Sequence, residues 1–153
     1  MIRIDWYKTS PEAYKAMLGV QKFVDKSSID HKLLELIKIR ASQINGCAHC
    51  LDMHTKDSIA FGENEQRLHV LAAWREAPFY SEKEKAALAW CESLTNISSE
   101  GAPDKHFDEL KKYFTTEEIV ELTLAIVAIN SWNRLAIGFR SEVGNYVSNN
   151  LKL

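Results

Sequence analysis

Residues 44 to 54, INGCAHCLDMH, place two cysteines and two histidines within eight positions. Side chains of these types at this spacing serve haem attachment, zinc binding or dithiol redox chemistry, or simply share a helix. Haem attachment requires a histidine directly after the second cysteine, and that position is Leu51. A structural zinc site usually adds a second ligand pair; no second CxxC or HxxxH occurs, and His31, His69 and His106 are isolated. A site of Cys47, Cys50, His54 and one distant ligand stays open. The dithiol has positive support. A helix starting near Cys47 separates the cysteines by about one turn, within the Cα range that disulfides tolerate. Its N–H groups and positive dipole end favour a thiolate, and cysteine pKa values fall from about 8.5 to well below about 7.5 in such settings. His54, four residues after Cys50, shares its face and is a base beside a thiol. His49 points away from that arc in an ideal helix. It joins the site only if the first turn is irregular, and is otherwise an exposed histidine.

The elements that must position these groups read as helices. Ser10-Pro11 is a start signal, with proline at the first helical position, and Tyr14, Met17, Leu18 and Val24 follow at helical spacing. A second helix covers about Asp30 to Ile44 and stops at Asn45-Gly46, where glycine suits a left-handed cap. The third runs from about Cys47 to Phe61-Gly62. A fourth carries Leu68, Leu71 and Trp74 towards Pro78. Capping boxes at Ser81–Glu84 and Thr115–Glu118 open a fifth helix and a long apolar one reaching Phe139, and Pro103 opens a short one between them. No run alternates as a strand between hairpin turns. The expectation is an all-α fold, a compact bundle of about seven helices forming a single domain over residues 1–153. Glu35 falls on one helical face with Lys38 and Ser42, which by periodicity alone is a solvated face. If helices two and three fold back at Asn45-Gly46, however, Glu35 and His54 stand at the same height with Cys50 one turn nearer the bend. A Glu35–His54–Cys50 relay then becomes geometrically available.

The chain of 153 residues carries a formal net charge of -2 and a pI near 6.2, which gives no electrostatic case for nucleic acid or an anionic membrane. The amino terminus lacks the apolar core of a secretory signal, and the apolar stretch Ile119 to Ile129 is shorter than the roughly 20 residues that cross a bilayer. The expectation is a soluble, cytoplasmic protein, where structural disulfides are uncommon. Cys91, on an apolar stripe with Leu88 and Leu94, reads as inert. Two helices are apolar over too wide an arc for one-sided burial, which predicts central burial and a homo-oligomer. Asn130, Asn133 and Arg134 read as satisfying backbone or subunit contacts. Trp74, Phe79 and Tyr80 read as core rather than pocket wall.

With Glu35, Cys47, Cys50 and His54 in view, the sequence resembles the alkylhydroperoxidase D-like (AhpD-like) proteins of the carboxymuconolactone decarboxylase superfamily. Their signature is a glutamate, a CxxC beginning twelve residues later, and a histidine four residues after the second cysteine. His49 matches a histidine that alkylhydroperoxidase D carries inside its CxxC. The stretches LLELIKIRASQINGCAHCLDMHTKDS, EQRLHVLAAWREAPFYSEKEKAALAW and ELTLAIVAINSWNRLAIGFR are similar to single-module members. The resemblance implies an all-helical subunit assembling as trimers or hexamers; the expectation for the dithiol is chemistry with no metal or organic cofactor. The resemblance also implies a catalytic dithiol that reduces hydroperoxides, or passes electrons between a dithiol reductant, such as a lipoyl-type one, and a peroxiredoxin. In that scheme Cys50 attacks the peroxide, Cys47 donates a proton and then resolves the sulfenic acid, and Glu35 with His54 carries the proton away. A metal-binding or redox-sensing module of the same fold without turnover is the alternative.

Overall fold

The 3.6-residue apolar spacing of the sequence resolves into helices joined by short turns. A computed structural model describes residues 1–148, so positions 149–153 of the expected domain lie outside the described residues. In chain order the helices are α1 (Trp6–Thr9), α2 (Pro11–Asp25), α3 (His31–Asn45), α4 (Ala48–Ala60), α5 (Glu65–Val70), α6 (Glu82–Thr95), α7 (Ile97–Glu100), α8 (Asp104–Leu110) and α9 (Thr116–Phe139). Among the described residues there is no strand. The seven expected helices are present, and α1 and α7 are additions of four residues each. One turn is too short to leave a periodic apolar signature, so neither could be read from spacing. The expected fourth helix is α5 tightening into a 3-10 turn at Leu71–Ala73 before the chain reaches Pro78.

Local chemistry sets the ends. The Asp30 carboxylate accepts the Leu33 N–H at 3.1 Å and starts α3. Both capping boxes are formed, Ser81 with Glu84 on α6 and Thr115 with Glu118 on α9, each satisfying two N–H groups that have no intrahelical partner.

Helix α3 is the centre of the molecule, with α4, α6 and α9 packed around it. Its Leu36, Ile37, Ile39 and Ala41 are essentially unexposed, and burying one large aliphatic side chain stabilises a fold by about 1.5–3 kcal/mol. This explains the wide apolar arc of α3: it is surrounded within one subunit. Helix α9 reaches Phe139 as expected, but its apolar character extends beyond Ile129. Apolar residues resume after Asn130 with Trp132, Leu135 and Ala136, so the helix is 24 residues long. By length and composition alone it could cross a membrane. It lies instead against α2, α3, α4 and α6 with Leu122, Ile126 and Ile129 buried, the environment of a core helix. Its outer side leaves Val120 and Val127 exposed.

Candidate active site

The site is built on the turn between α3 and α4. Gly46 closes α3 at φ +68°, and an added Cβ there would meet nothing within 4 Å, so the demand for glycine is conformational. The Cys47 N–H then bonds the Ser42 carbonyl at 3.0 Å, which folds α4 back along α3. Cys47 is itself the N-cap of α4: its Sγ accepts the Cys50 N–H at 3.4 Å, a place usually filled by Ser, Thr, Asp or Asn. The two sulfurs are 2.8 Å apart and both cysteines are buried.

The fold-back brings Glu35 to His54. Glu35 Oε2 accepts from His54 Nδ1 at 2.9 Å and Oε1 accepts from Lys38 Nζ at 2.7 Å. The Nδ1 bond leaves Nε2 as the ring's other nitrogen. Glu35, Lys38 and Ser42, which periodicity read as a solvated face, are 3%, 7% and 0% exposed. The correction has a physical reason: that face meets the polar groups of α4 and α9 rather than water. Burial alone would raise the Glu35 carboxyl, but the hydrogen bond and charge of His54, with those of Lys38, outweigh it and hold the carboxyl down at about 2. Among the described residues no direct hydrogen bond joins His54 to either sulfur, so a proton passing between them needs a bridging group.

The two thiols are electrostatically unlike. The Cys47 thiol is drawn down to about 6, chiefly by a hydrogen bond from Cys50, against burial, with help from the Cys50 N–H, the nearby His49 and Asn133. The Cys50 thiol is pushed up because its proton is held against the Cys47 sulfur and because it is buried. At neutral pH the pair therefore holds one negative charge, centred on Cys47, the sulfur that caps the helix. Cys91 is fully buried and pushed up to about 12 by that burial, in keeping with an inert thiol.

Cys50 faces a cavity of about 480 Å³ that Cys47 does not line. Glu35 and Lys38 of α3, and His54 and Asp57 of α4, are its polar lining, with Met53 beside them. The opposite wall is aromatic: Trp6 and Tyr7 of α1, Tyr14 of α2 and Trp132 of α9, with Tyr7 and Tyr14 edge to face at 4.9 Å between ring centres. Of Trp74, Phe79 and Tyr80, all read as core, Trp74 and Tyr80 are buried elsewhere while Phe79 is exposed; Trp74 donates to Glu92 at 2.8 Å. His49 borders the cavity as well, its Nδ1 2.6 Å from the Glu142 carbonyl oxygen. That contact belongs to a series in which residues 142–146 run along α4. Asp52 accepts the Gly144 N–H, Lys56 donates to the Tyr146 carbonyl, and the Tyr146 hydroxyl donates to Asp57 at 2.8 Å.

Lys38, Asp57, Tyr7, Trp132 and Tyr146 were not anticipated from sequence. Lys38 alone left a signal, as a lysine three residues after Glu35 in an otherwise apolar run. The groups spaced to suit a cation among the described residues are Glu35, His54 and Asp57, within 4.8 Å of one another. They exclude both sulfurs, unlike the zinc set left open above. Lys38 already supplies the positive charge at Glu35, and Tyr146 donates to Asp57, so the set is poorly suited to a metal ion.

The carboxymuconolactone decarboxylase family model matches residues 11–93, which hold Glu35, Cys47, Cys50 and His54. The uncharacterised protein YdfG of Bacillus subtilis (strain 168) is 47% identical over 143 residues, covering 94% of this chain and 97% of that protein. The crystal structure of ATU0492 from Agrobacterium tumefaciens, a protein of unknown function considered a candidate antioxidant defence protein AhpD, superposes with a TM-score of 0.92. It is 47% identical and covers 95% of this chain and 100% of its own. The debrominase Bmp8 shares the fold at a TM-score of 0.81 and 24% identity, covering 90% of this chain and 74% of its own. With its helical fold and this hairpin site, the chain belongs to the carboxymuconolactone decarboxylase family as an AhpD-like member.

Proposed function

We propose that the protein is a dithiol oxidoreductase that reduces organic hydroperoxides through a reversible Cys47–Cys50 disulfide. The observation that carries this reading is the pair of sulfurs 2.8 Å apart, one capping a helix and the other facing a cavity beside a Glu35–His54 hydrogen bond. The proton lost when the pair first ionises passes towards His54, whose ring is oriented by Glu35. The remaining proton moves from Cys50 to the Cys47 thiolate, leaving the charge on the sulfur that faces the cavity. Cys50 attacks the hydroxyl-bearing oxygen of the peroxide, the O–O bond breaks to leave the Cys50 sulfenic acid, and the departing alkoxide takes the Cys47 proton to leave as an alcohol. The Cys47 thiolate then displaces hydroxide from the Cys50 sulfenic acid, forming the disulfide, and the proton stored at His54 returns to that hydroxide as water. Two thiols lose two electrons and the peroxide gains two; a dithiol donor resets the pair. His49, held at the Glu142 carbonyl, favours the Cys47 thiolate electrostatically.

The exposed Val120 and Val127 on α9 support assembly of several subunits, because a helix with apolar residues on its outer side can bury them against a second copy. The aromatic wall supports a second substrate class for the same sulfurs: a brominated ring, the kind of substrate the name of debrominase Bmp8 implies for that protein, in place of the peroxide. The test is consumption of cumene hydroperoxide with dithiothreitol or dihydrolipoamide as donor, with a bromopyrrole in a parallel arm. Two thiols per chain should be lost to one intramolecular disulfide, and Cys50→Ser should abolish turnover. Full turnover in Cys50→Ser would overturn the proposal.

A further inference from the structure

A second cavity, of about 290 Å³, adjoins the one that Cys50 faces. Its lining comes from the amino-terminal segment, Ile2 and Ile4 among it, and from residues 141–146. Four side chains line both cavities, Trp6, Tyr7, His49 and Tyr146, and so form the partition between them. Alone, the second space falls at the low end of the roughly 300 to 1,000 Å³ that ligand pockets occupy. The members of the partition are held unequally. Trp6 is buried, stacked on Phe139 at 6.2 Å and edge to face with Tyr14 at 5.6 Å between ring centres. Tyr146 stands on a segment without regular structure, and among the described residues no backbone–backbone hydrogen bond joins that segment to α4. Side chains of α4 hold it instead: His49 at the Glu142 carbonyl, Asp52 at the Gly144 N–H and Lys56 at the Tyr146 carbonyl. The Tyr146 hydroxyl reaches both oxygens of Asp57, at 2.8 and 3.0 Å, which fixes its ring at the boundary. Val143 and Val147 on either side of it are exposed. Segments that bury few apolar contacts open at low free energy, so Trp6 is the firm part of the partition and Tyr146 the part that can be removed.

We propose that Tyr146 is a specificity-determining residue: its ring, latched to Asp57, closes the dithiol cavity against the space beside it, so that the site takes compact, ring-bearing hydroperoxides and excludes long acyl chains. The inference rests on the dithiol reading and names the substrate class of the same site. A wall of Trp6, Tyr7, Tyr14 and Trp132 suits a compact ring, which packs against ring edges and faces. A long chain with its peroxide at Cys50 has a remainder to bury. The second cavity, with Ile2 and Ile4 in its lining, is the neighbouring space for it, and Tyr146 stands in the way. Specificity then comes from a clash with the wrong substrate rather than from an added contact with the right one.

The test compares wild type, Tyr146→Ala and Tyr146→Phe on cumene hydroperoxide and on the hydroperoxide of methyl linoleate, both uncharged. Wild type should favour the compact peroxide in kcat/KM, and Tyr146→Ala should narrow that preference about tenfold through a lower KM for the long chain. Tyr146→Phe keeps the ring and should narrow it far less; equal narrowing by the two variants would overturn the ring as the wall. A second readout needs no turnover. Trp6 and Trp132 line the cavity, so tryptophan fluorescence can be titrated with 2-phenyl-2-propanol and with oleyl alcohol. Tyr146→Ala should bind oleyl alcohol about tenfold more tightly than wild type. If Tyr146→Ala fails to fold, Tyr146→Leu decides by the same titration. Equal binding of oleyl alcohol by wild type and the folded variant would overturn the role of Tyr146, whether or not peroxide is reduced. A wild type that reduces neither peroxide, with the binding difference present, would overturn the dithiol reading and leave the wall standing.

Discussion

The sharpest consequence of the hairpin site is an ownership of charge that single-cysteine variants can read. A fall of the Cys47 thiol from its ordinary 9.0 to about 6 is worth about 4 kcal/mol in favour of the thiolate, at about 1.4 kcal/mol for each tenfold change in the ionisation constant. Wild-type protein at pH 7 should then hold Cys47 about nine-tenths ionised. The foremost cause is the bond donated by Cys50, so Cys50→Ala removes it while leaving the Cys50 N–H in place. Hydrogen bonds to charged groups contribute about 1.5–3 kcal/mol, which predicts a rise of about one to two pH units and a thiolate fraction of about half or less at pH 7. In Cys47→Ala, Cys50 loses the neighbour that pushes it upward but stays buried, so it should titrate well above the wild-type midpoint. Absorbance at 240 nm of reduced protein from pH 4 to pH 10 gives all three curves. A wild-type midpoint near 9, or a group ionising near pH 6 in Cys47→Ala, would refute the assignment of the charge to Cys47.

Glu35 predicts a second pH dependence. Its carboxyl falls from an ordinary 4.5 to about 2 in the folded chain, so the unfolded chain binds the extra proton. The stabilisation is complete above about pH 4.5 and disappears as the pH falls towards 2, amounting to at most about 3 kcal/mol. Urea unfolding of wild type and Glu35→Gln at pH 7, 4.5, 3 and 2 should show the wild type losing more stability across the acid range; parallel curves would contradict it. At Gly46 the left-handed φ is the sole demand, so Gly46→Ala should cost about 1 kcal/mol by urea unfolding, and a loss above about 3 kcal/mol would mean the turn depends on a close approach after all. Truncating Leu36 to Ala at the centre of α3, where it is unexposed, should cost about 2–5 kcal/mol on the same assay.

What the sequence disclosed follows from how far apart in the chain each contact lies. Glu35, Cys47, Cys50 and His54 sit on or between two consecutive helices joined by a glycine turn, so helical spacing and one fold-back suffice to bring Glu35 and His54 to one height, with the cysteines nearer the bend. The helix starts were equally readable, because Ser81, Thr115 and Pro11 act on their immediate neighbours. The aromatic wall was not. Trp6, Tyr7, Tyr14, Trp132 and Tyr146 come from α1, α2, α9 and an irregular segment, and no local rule relates them. Periodicity also failed on Glu35, Lys38 and Ser42 for a definite reason: it separates polar from apolar faces, whereas burial depends on what each face meets. Here the polar face of α3 meets an imidazole and an amide, and is sealed by them. Asn130 and Asn133 read as polar groups seeking partners; which partners they found, Asn45, Ser42 and Thr95, required the packing of α9 on α3 and α6.

In the proposed cycle Cys47 would carry two duties on one atom, capping a helix and exchanging electrons. In most helices the capping side chain keeps its chemistry for life, but each turn of the proposed cycle would rewrite it, from an anion well matched to the positive end of α4 to a neutral sulfur bonded elsewhere. Whatever steadies that helix end in the anionic state therefore makes the reduced protein harder to oxidise, by an equal amount of free energy. Redox poise and helix stability are in this sense one quantity, and substitutions anywhere along the first turn of α4 adjust both together.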